Sequence, residues 1–382
     1  MVRRSDTTKT RRSLRLTLVS SLAALLVACG GEGCAPAPEG SGARAVDGLR
    51  VETLAEGLDT PWELVFAPDG RILVTERPGT IRSIESGELR EEPYAELPAE
   101  EAGEGGQLGL ALDPAFERNS RLYAHYTTTE DDGSVNRIVR LVEENGAVRE
   151  DGVLLEAPAA SIHNGGRLAV GPDGNLYATL GDVSEGGLAQ ERDALAGKIV
   201  RLDLDGSVPD DNPFDGSPVY SYGHRNPQGL AWDADGNLYA SEHGPTGHDE
   251  LNLVEPGGNY GWPEVSGEGG EEAGFLDPVL ESGQETWAPS GAAYVSQGPW
   301  DGSLLFASLT GQALHRVTFA EEPAQIEEHG EYLKGEYGRL RTVAQGPDGA
   351  LYILTSNRDG RGSPETQDDR LLRITVPGGN GS

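Results

Sequence analysis

Four short segments of the chain hold the side chains best suited to chemistry. The first, Ser161-Ile162-His163-Asn164-Gly165-Gly166-Arg167, sets a histidine among small residues, where both ring nitrogens can be exposed as base or ligand. Standing alone it would read as an ordinary surface-loop histidine. The second, Tyr222-Gly223-His224-Arg225-Asn226-Pro227-Gln228-Gly229, puts a planar donor fork beside an amide, a pairing suited to a carboxylate or quinone oxygen. In the third, residues 242–250, Gly244 and Pro245 form turns next to Asp249 and Glu250, so backbone carbonyls and carboxylates can meet a hard cation such as calcium. His243 and His248 share that segment, but their spacing matches no standard transition-metal site. The fourth, Arg339-Leu340-Arg341, points two guanidinium groups to one strand face by period-two alternation. Beside a channel such a pair would bind an anion; elsewhere it would be solvated charge.

Other chemical motifs are missing. Asp203-Leu204-Asp205-Gly206 looks like the start of a calcium loop but lacks the glycine at the sixth position and the closing glutamate, so it reads as a hairpin turn. There is no Walker loop, no dinucleotide-binding glycine motif before a helix and no nucleophile elbow.

The four segments interrupt a repeat, and the repeat must position them. A phrase of apolar residues, Pro-Asp-Gly, one residue and Leu-Tyr recurs in six copies, starting at Leu64, Leu110, Leu168, Leu230, Ala292 and Val343. Aligned on Asp69, Asn119, Asp173, Asp235, Asp301 and Asp348, the copies lie 47 to 66 residues apart. Each predicts an alternating strand, an Asp-Gly turn and a second alternating strand, because Asp and Gly tolerate the positive φ of tight hairpins. One hairpin cannot bury its faces alone. Units of this length fit four-stranded blades, and closing them in a ring removes the open sheet edges. Residues 47–378 are therefore expected to form one all-β, six-bladed propeller with few helices, the longest interval (Asp235 to Asp301) carrying a functional insertion.

Composition agrees with that reading. The 382 residues include 30 Lys and Arg against 63 Asp and Glu, a net charge of −33 that repels nucleic acid and anionic lipid. Five Trp and 12 Tyr, spread along the chain, argue against acidic disorder. Residues 1–28 combine a basic segment with an apolar run from Leu16 to Ala28 that is too short to span a bilayer, the pattern of a signal peptide. The run ends in Leu26-Val27-Ala28-Cys29, which resembles a lipoprotein cleavage site and makes Cys29 the expected lipid attachment point. Arg11-Arg12 leaves open whether export follows the general or the twin-arginine route. Residues 29–46 read as a flexible tether. Cys29 and Cys34 are the only cysteines, so the propeller holds no disulfide, thiol nucleophile or cysteine-zinc site. The mature protein is thus expected in the periplasm or at the cell surface, touching the membrane only through its lipid, and as a monomer.

Taken together, the segments resemble the soluble quinoprotein glucose/sorbosone dehydrogenase family, whose aldose dehydrogenase members are six-bladed propellers using pyrroloquinoline quinone (PQQ) and calcium. The resemblance spans about Val51 to Ile374 and rests on PWELVFAPDGRILVTER, AGEGGQLGLALDPAF, HNGGRLAVGPDGNLYATLGD, GHRNPQGLAW, EHGPTGHDELNLVEPGGNYGWP, TWAPSGAAY and GRLRTVAQGPDGALY, all in family order. It implies His163 as the catalytic base oriented by Asp182. It implies cofactor contacts from Arg225, Asn226, Arg339 and Arg341, with Glu104 at a position that is Gln in glucose-oxidising members. Calcium would sit on the carbonyls of Gly244 and Pro245, with Asp249 and Glu250 nearby. The implied reaction is oxidation of an aldose at C1 to a lactone, with electrons passed to an external acceptor, a quinone or small redox protein. Two positions depart from the family: Thr310 stands where glucose-oxidising members have a PQQ-contacting Lys, and Ile162 where they have an Asp before the histidine. Two further readings remain: a calcium-dependent propeller lactonase or hydrolase, which leaves the arginines without a task, and a non-enzymatic binding propeller, which predicts repeats but no set of functional loops.

Overall fold

The computed structural model describes residues 44–131, 133–320 and 325–378. The expected signal peptide, Cys29 and most of the expected tether lie outside the described residues. Six sheets follow one another along the chain, and all strand pairings within them are antiparallel. Helix is confined among the described residues to one α-helical turn, Phe116–Asn119, and two 3-10 segments, Gly186–Gln190 and Glu271–Ala273.

Each repeat forms the two innermost strands of one blade. The hairpins are Pro61–Phe66 with Ile72–Glu76, Gln107–Leu112 with Arg121–Glu130, Leu168–Val170 with Leu176–Leu180, Pro227–Trp232 with Leu238–Glu242, Pro289–Tyr294 with Leu304–Ser308, and Leu340–Gln345 with Leu351–Thr355. In the turns the work is divided. Glycines such as Gly174 (φ 83°) and Gly349 (φ 77°) take the left-handed conformation. The aspartates instead accept N–H bonds two residues on, as Asp173 does from Asn175 and Asp348 from Ala350. The second copy uses Phe116–Asn119 in place of Pro-Asp-Gly, with Ser120 in the left-handed region.

One expectation needs correcting. The second strand of most hairpins does not alternate between core and solvent: Ile72–Glu76, Leu176–Leu180, Leu238–Glu242, Leu304–Ser308 and Leu351–Thr355 are buried at every position. Neighbouring blades cover both faces of these strands, so neither face meets water.

The ring closes by joining the two ends of the chain. Leu49–Ala55 pairs with Leu371–Thr375, Val51 opposite Ile374, so the last blade takes its fourth strand from the N-terminal end. Arg44–Val46 adds a further strand and starts inside the stretch expected to be tether. Every interface between successive blades, including last to first, has its own apolar layer. The last-to-first layer packs Leu64, Ile72 and Val74 against Tyr352, Leu354 and Leu371. The long interval after Asp235 adds no further blade; it carries a loop running from Tyr260 through Glu271–Ala273 to the blade's short fourth strand, Leu280–Glu281.

Candidate active site

Antiparallel hairpins put the start of each first strand and the end of each second strand at the same mouth of the ring. The chemistry-bearing segments occupy those positions. His163 precedes Leu168–Val170 and Asp182 follows Leu176–Leu180; Arg225 and Asn226 precede Pro227–Trp232 and residues 243–249 follow Leu238–Glu242; Arg339 precedes Leu340–Gln345. A narrow pocket opens among them, with Trp62, Arg77, Glu104, Gln228, His243 and Arg341 on its walls.

His163 lies at its edge, next to the wall residues Asn164 and Gly165. Its backbone is left-handed (φ 60°), and the chain there passes so close to the adjacent strand that a Cβ on Gly165 would meet the Thr179 carbonyl oxygen at 2.4 Å. Nδ1 of His163 is 2.7 Å from Oδ1 of Asp182. Asp182 is buried and also accepts from Ser184 N–H at 2.8 Å and from Trp262 Nε1 at 2.7 Å. Burial would raise its carboxyl, but the bonds from His163 and the Ser184 N–H outweigh it and leave the group below its ordinary value. Since Asp182 accepts at Nδ1–H, the neutral ring keeps its lone pair at Nε2. Glu104 fixes the loop from the other side: one oxygen accepts His163 N–H at 2.8 Å and the other pairs with Arg361 at 2.6 Å. Against the upward push of burial, these contacts hold its carboxyl down at about 2.

Beside the base lies a set of nitrogen groups short of acceptors. Asn226 Oδ1 accepts from Gly165 N–H and Gln228, while its Nδ2 has no partner. Arg225 donates to the Gly244 carbonyl at 2.8 Å and, more weakly, to that of His243, yet its Nε is unpartnered. Arg341 makes only long contacts, 3.3 Å to Gln228 and 3.4 Å to Ser290, and its Nε is also free. Burial, with Arg339, Arg77 and Arg167 nearby, pulls this guanidinium down to about 9. His243 Nε2 completes the set, on a ring that burial keeps neutral by lowering it to about 4. Buried donors normally find acceptors, so a cluster lacking them marks a place for an anionic, oxygen-rich ligand. Beneath, Trp62 stacks under Arg167, which ion-pairs with Glu63 and donates to the Gln228 carbonyl, making a rigid floor.

The family profile described as Glucose / Sorbosone dehydrogenase matches residues 58–373. The chain belongs to the glucose/sorbosone dehydrogenase family. Aldose sugar dehydrogenase YliI of Escherichia coli K12 is 35% identical over 343 residues, covering 82% of this chain and 91% of that protein. Quinoprotein glucose dehydrogenase B of Acinetobacter calcoaceticus is 35% identical over 251 residues, 56% of this chain and 52% of the relative. The PQQ-bound aldose sugar dehydrogenase of Streptomyces coelicolor superposes with a TM-score of 0.78 at 42% identity, covering 88% of this chain and 98% of that one.

The glucose/sorbosone dehydrogenase fold gathers most, though not all, of the expected residues. Glu104 and Arg341 line the cavity, and His163, Asp182, Arg225 and Asn226 stand directly behind or beside it. Arg339 does not share the work of Arg341: it is bound to Asp359 through a 2.8 Å ion pair, both side chains buried. A register shift between Leu340 and Thr342 interrupts the alternation that would have aligned the two arginines. Asp249 is also engaged, accepting Gly244 N–H with one oxygen and Trp287 and Ala288 N–H with the other. Glu250 turns into its own blade, accepting from Gly267 N–H and Asn252. Of the expected calcium donors, the backbone carbonyls of Pro245 and Gly244 remain, the latter already accepting from Arg225. Among the described residues no three acidic or histidine side chains converge as a metal site. Sequence reasoning missed His243, Arg77, Asp359 and Arg361. His243 was visible only as a histidine of unmatched spacing, and the other three carry no local signal.

Proposed function

We propose that the protein oxidises aldose sugars at C1 to lactones with PQQ as cofactor. The observation that carries this reading is the group of buried nitrogens without acceptors beside an oriented His163–Asp182 pair. The donors suit the cofactor: Arg225, Asn226, Arg341 and His243 offer an anion-binding surface to its carboxylates and quinone oxygens, inside a protein of net charge −33. Bound there, PQQ would supply the two-electron, hydride-accepting centre. His163 takes the proton of the anomeric hydroxyl at Nε2, and Asp182 stabilises the imidazolium that forms. Glu104 holds the His163 backbone so that the ring cannot swing away. Calcium, held by the carbonyls of Gly244 and Pro245, would supply a Lewis acid there. The lactonase alternative asks for carboxylate-bound calcium, and Asp249 and Glu250 are otherwise engaged.

The direct test adds PQQ and calcium to the apo-protein and follows dye reduction with a panel of aldoses. Absence of both PQQ binding and dye reduction would sink the proposal. His163→Ala is expected to cut kcat by about 10²-fold or more while sparing PQQ affinity. Arg341→Ala is expected to weaken PQQ binding by about tenfold or more, measured by fluorescence titration, since it strips a charged donor. A loss of PQQ binding in the first variant, or none in the second, would contradict these assignments.

Export and anchoring are proposed from residues 1–29 alone. No described helix is long and apolar enough to cross a membrane. Cys29→Ser is accordingly expected to move the protein from the membrane fraction to the soluble fraction on cell lysis; unchanged partitioning would refute the anchor.

A further inference from the structure

Trp262 lies 80 residues from Asp182 in sequence, on the long loop after the fourth blade's third strand, yet its indole Nε1–H donates to Asp182 Oδ2 at 2.7 Å. Its ring also lies beneath the Arg225 guanidinium, 5.4 Å from centroid to Cζ. The loop is anchored where it reaches the site. Gln190 donates to the Trp262 carbonyl at 2.7 Å and Trp262 N–H to the Gly223 carbonyl at 2.9 Å.

From this geometry we infer that Trp262 is a positioning residue that sets the basicity of the His163–Asp182 pair through its N–H and orients Arg225 through its ring. The inference rests on the sugar-oxidation reading above and deepens it. A carboxylate with three donors carries less free charge than one with two, so it pulls less strongly on the Nδ1 proton of His163. The other ionisable groups around the pair are Glu104, which holds the His163 N–H and is paired with Arg361, together with Arg225 and His243. None of them donates to Asp182 Oδ2. The ring face contributes separately, by a cation–π contact that keeps Arg225 beside the Gly244 carbonyl.

Two substitutions separate the roles. Trp262→Phe keeps the ring and removes the donor. In the PQQ-loaded enzyme the acid limb of the kcat/KM profile should move up by about half a pH unit or more. PQQ affinity should stay within about twofold, because the ring face is retained. Trp262→Leu should show the same displacement of the acid limb and, in addition, PQQ binding weakened about three- to tenfold. An acid limb unmoved in Trp262→Phe would overturn the first role, and unchanged PQQ affinity in Trp262→Leu the second. A measurement on the PQQ-free protein needs no Trp262 variant: the Trp262 indole N–H resonance should lie downfield and shift upfield in Asp182→Asn. An indole resonance indifferent to Asp182→Asn would overturn the hydrogen bond itself. If that resonance responds while wild type neither binds PQQ nor oxidises any sugar, the support of Asp182 by Trp262 stands and the sugar-oxidation reading falls.

Discussion

Glu104 shows how one side chain can serve both geometry and charge. Its carboxylate joins the His163 backbone to Arg361, bridging loops of the second, third and sixth blades across the mouth. Its carboxyl lies at about 2, against an ordinary 4.5, so its contribution to stability is complete above about pH 4.5 and is lost as pH falls toward 2. Glu104→Gln should therefore be less stable than wild type at pH 7 by about 1–2 kcal/mol, after allowing for solvent at the exposed Arg361. The gap should narrow when urea melts are repeated at pH 3. A gap of equal size at both pH values would mean that the charge is not what holds the loops together.

At the scale of a single strand, Glu250–Val254 brings a carboxyl where the fourth blade has little room for charge. Burial first, and then the neighbouring Glu242, push Glu250 up to about 8. The sign is opposite to that of Glu104: the folded state retains the proton, so stability is complete below about pH 4.5 and is lost as pH rises through 8. Glu250→Gln imitates the protonated form. Urea denaturation should find it close to wild type at pH 5 and more stable by about 1–3 kcal/mol at pH 9. Equal stability of the two proteins at pH 9 would show that Glu250 ionises in the blade without cost. A calcium ligand would be expected to do the reverse, losing metal-dependent stabilisation on substitution. The same blade also holds Glu242, which accepts the Arg225 N–H and Asn252 Nδ2 and pairs with His224 at 2.8 Å, so the strand is a buried polar network supporting the mouth rather than a metal cradle.

Across the whole molecule, stability depends on closing the ring. Val51 is 2% exposed, within the strand that the N-terminal end lends to the last blade. Val51→Asp would bury an unpaired charge at that seam and should cost about 4 kcal/mol or more. Thr53→Asp, two residues on and exposed on the same strand, should change stability by less than about 0.5 kcal/mol. If calorimetry gave the two variants similar melting temperatures, the closing strand would not be part of the cooperative unit. The site depends on this closure because its walls come from different blades: Arg341 from the last, Trp62 from the first and Gln228 from the fourth.

How much of this was legible in the chain depends on the range of the interaction. The repeated phrase of apolar run, turn and apolar run, with its variant turns, determined six hairpins by itself, because left-handed turn residues and Asx turns act within four residues and apolar runs then extend as strands. From the hairpins followed the propeller, and from the interruptions followed the loops that carry His163, Arg225 and Asn226. The tertiary structure alone decided which charges were free. Arg339 and Arg341 look equivalent in the sequence, but Asp359 occupies only the first. Asp249 and Glu250 look like calcium ligands, but backbone N–H groups from distant segments satisfy both. Trp262 looks like one of five tryptophans until the loop after the fourth blade's third strand packs on the third blade and brings it to Asp182. Short-range spacing dictates backbone conformation, whereas the partner of a charged side chain is whichever group a segment distant in sequence brings within about 3 Å, and no local pattern encodes that.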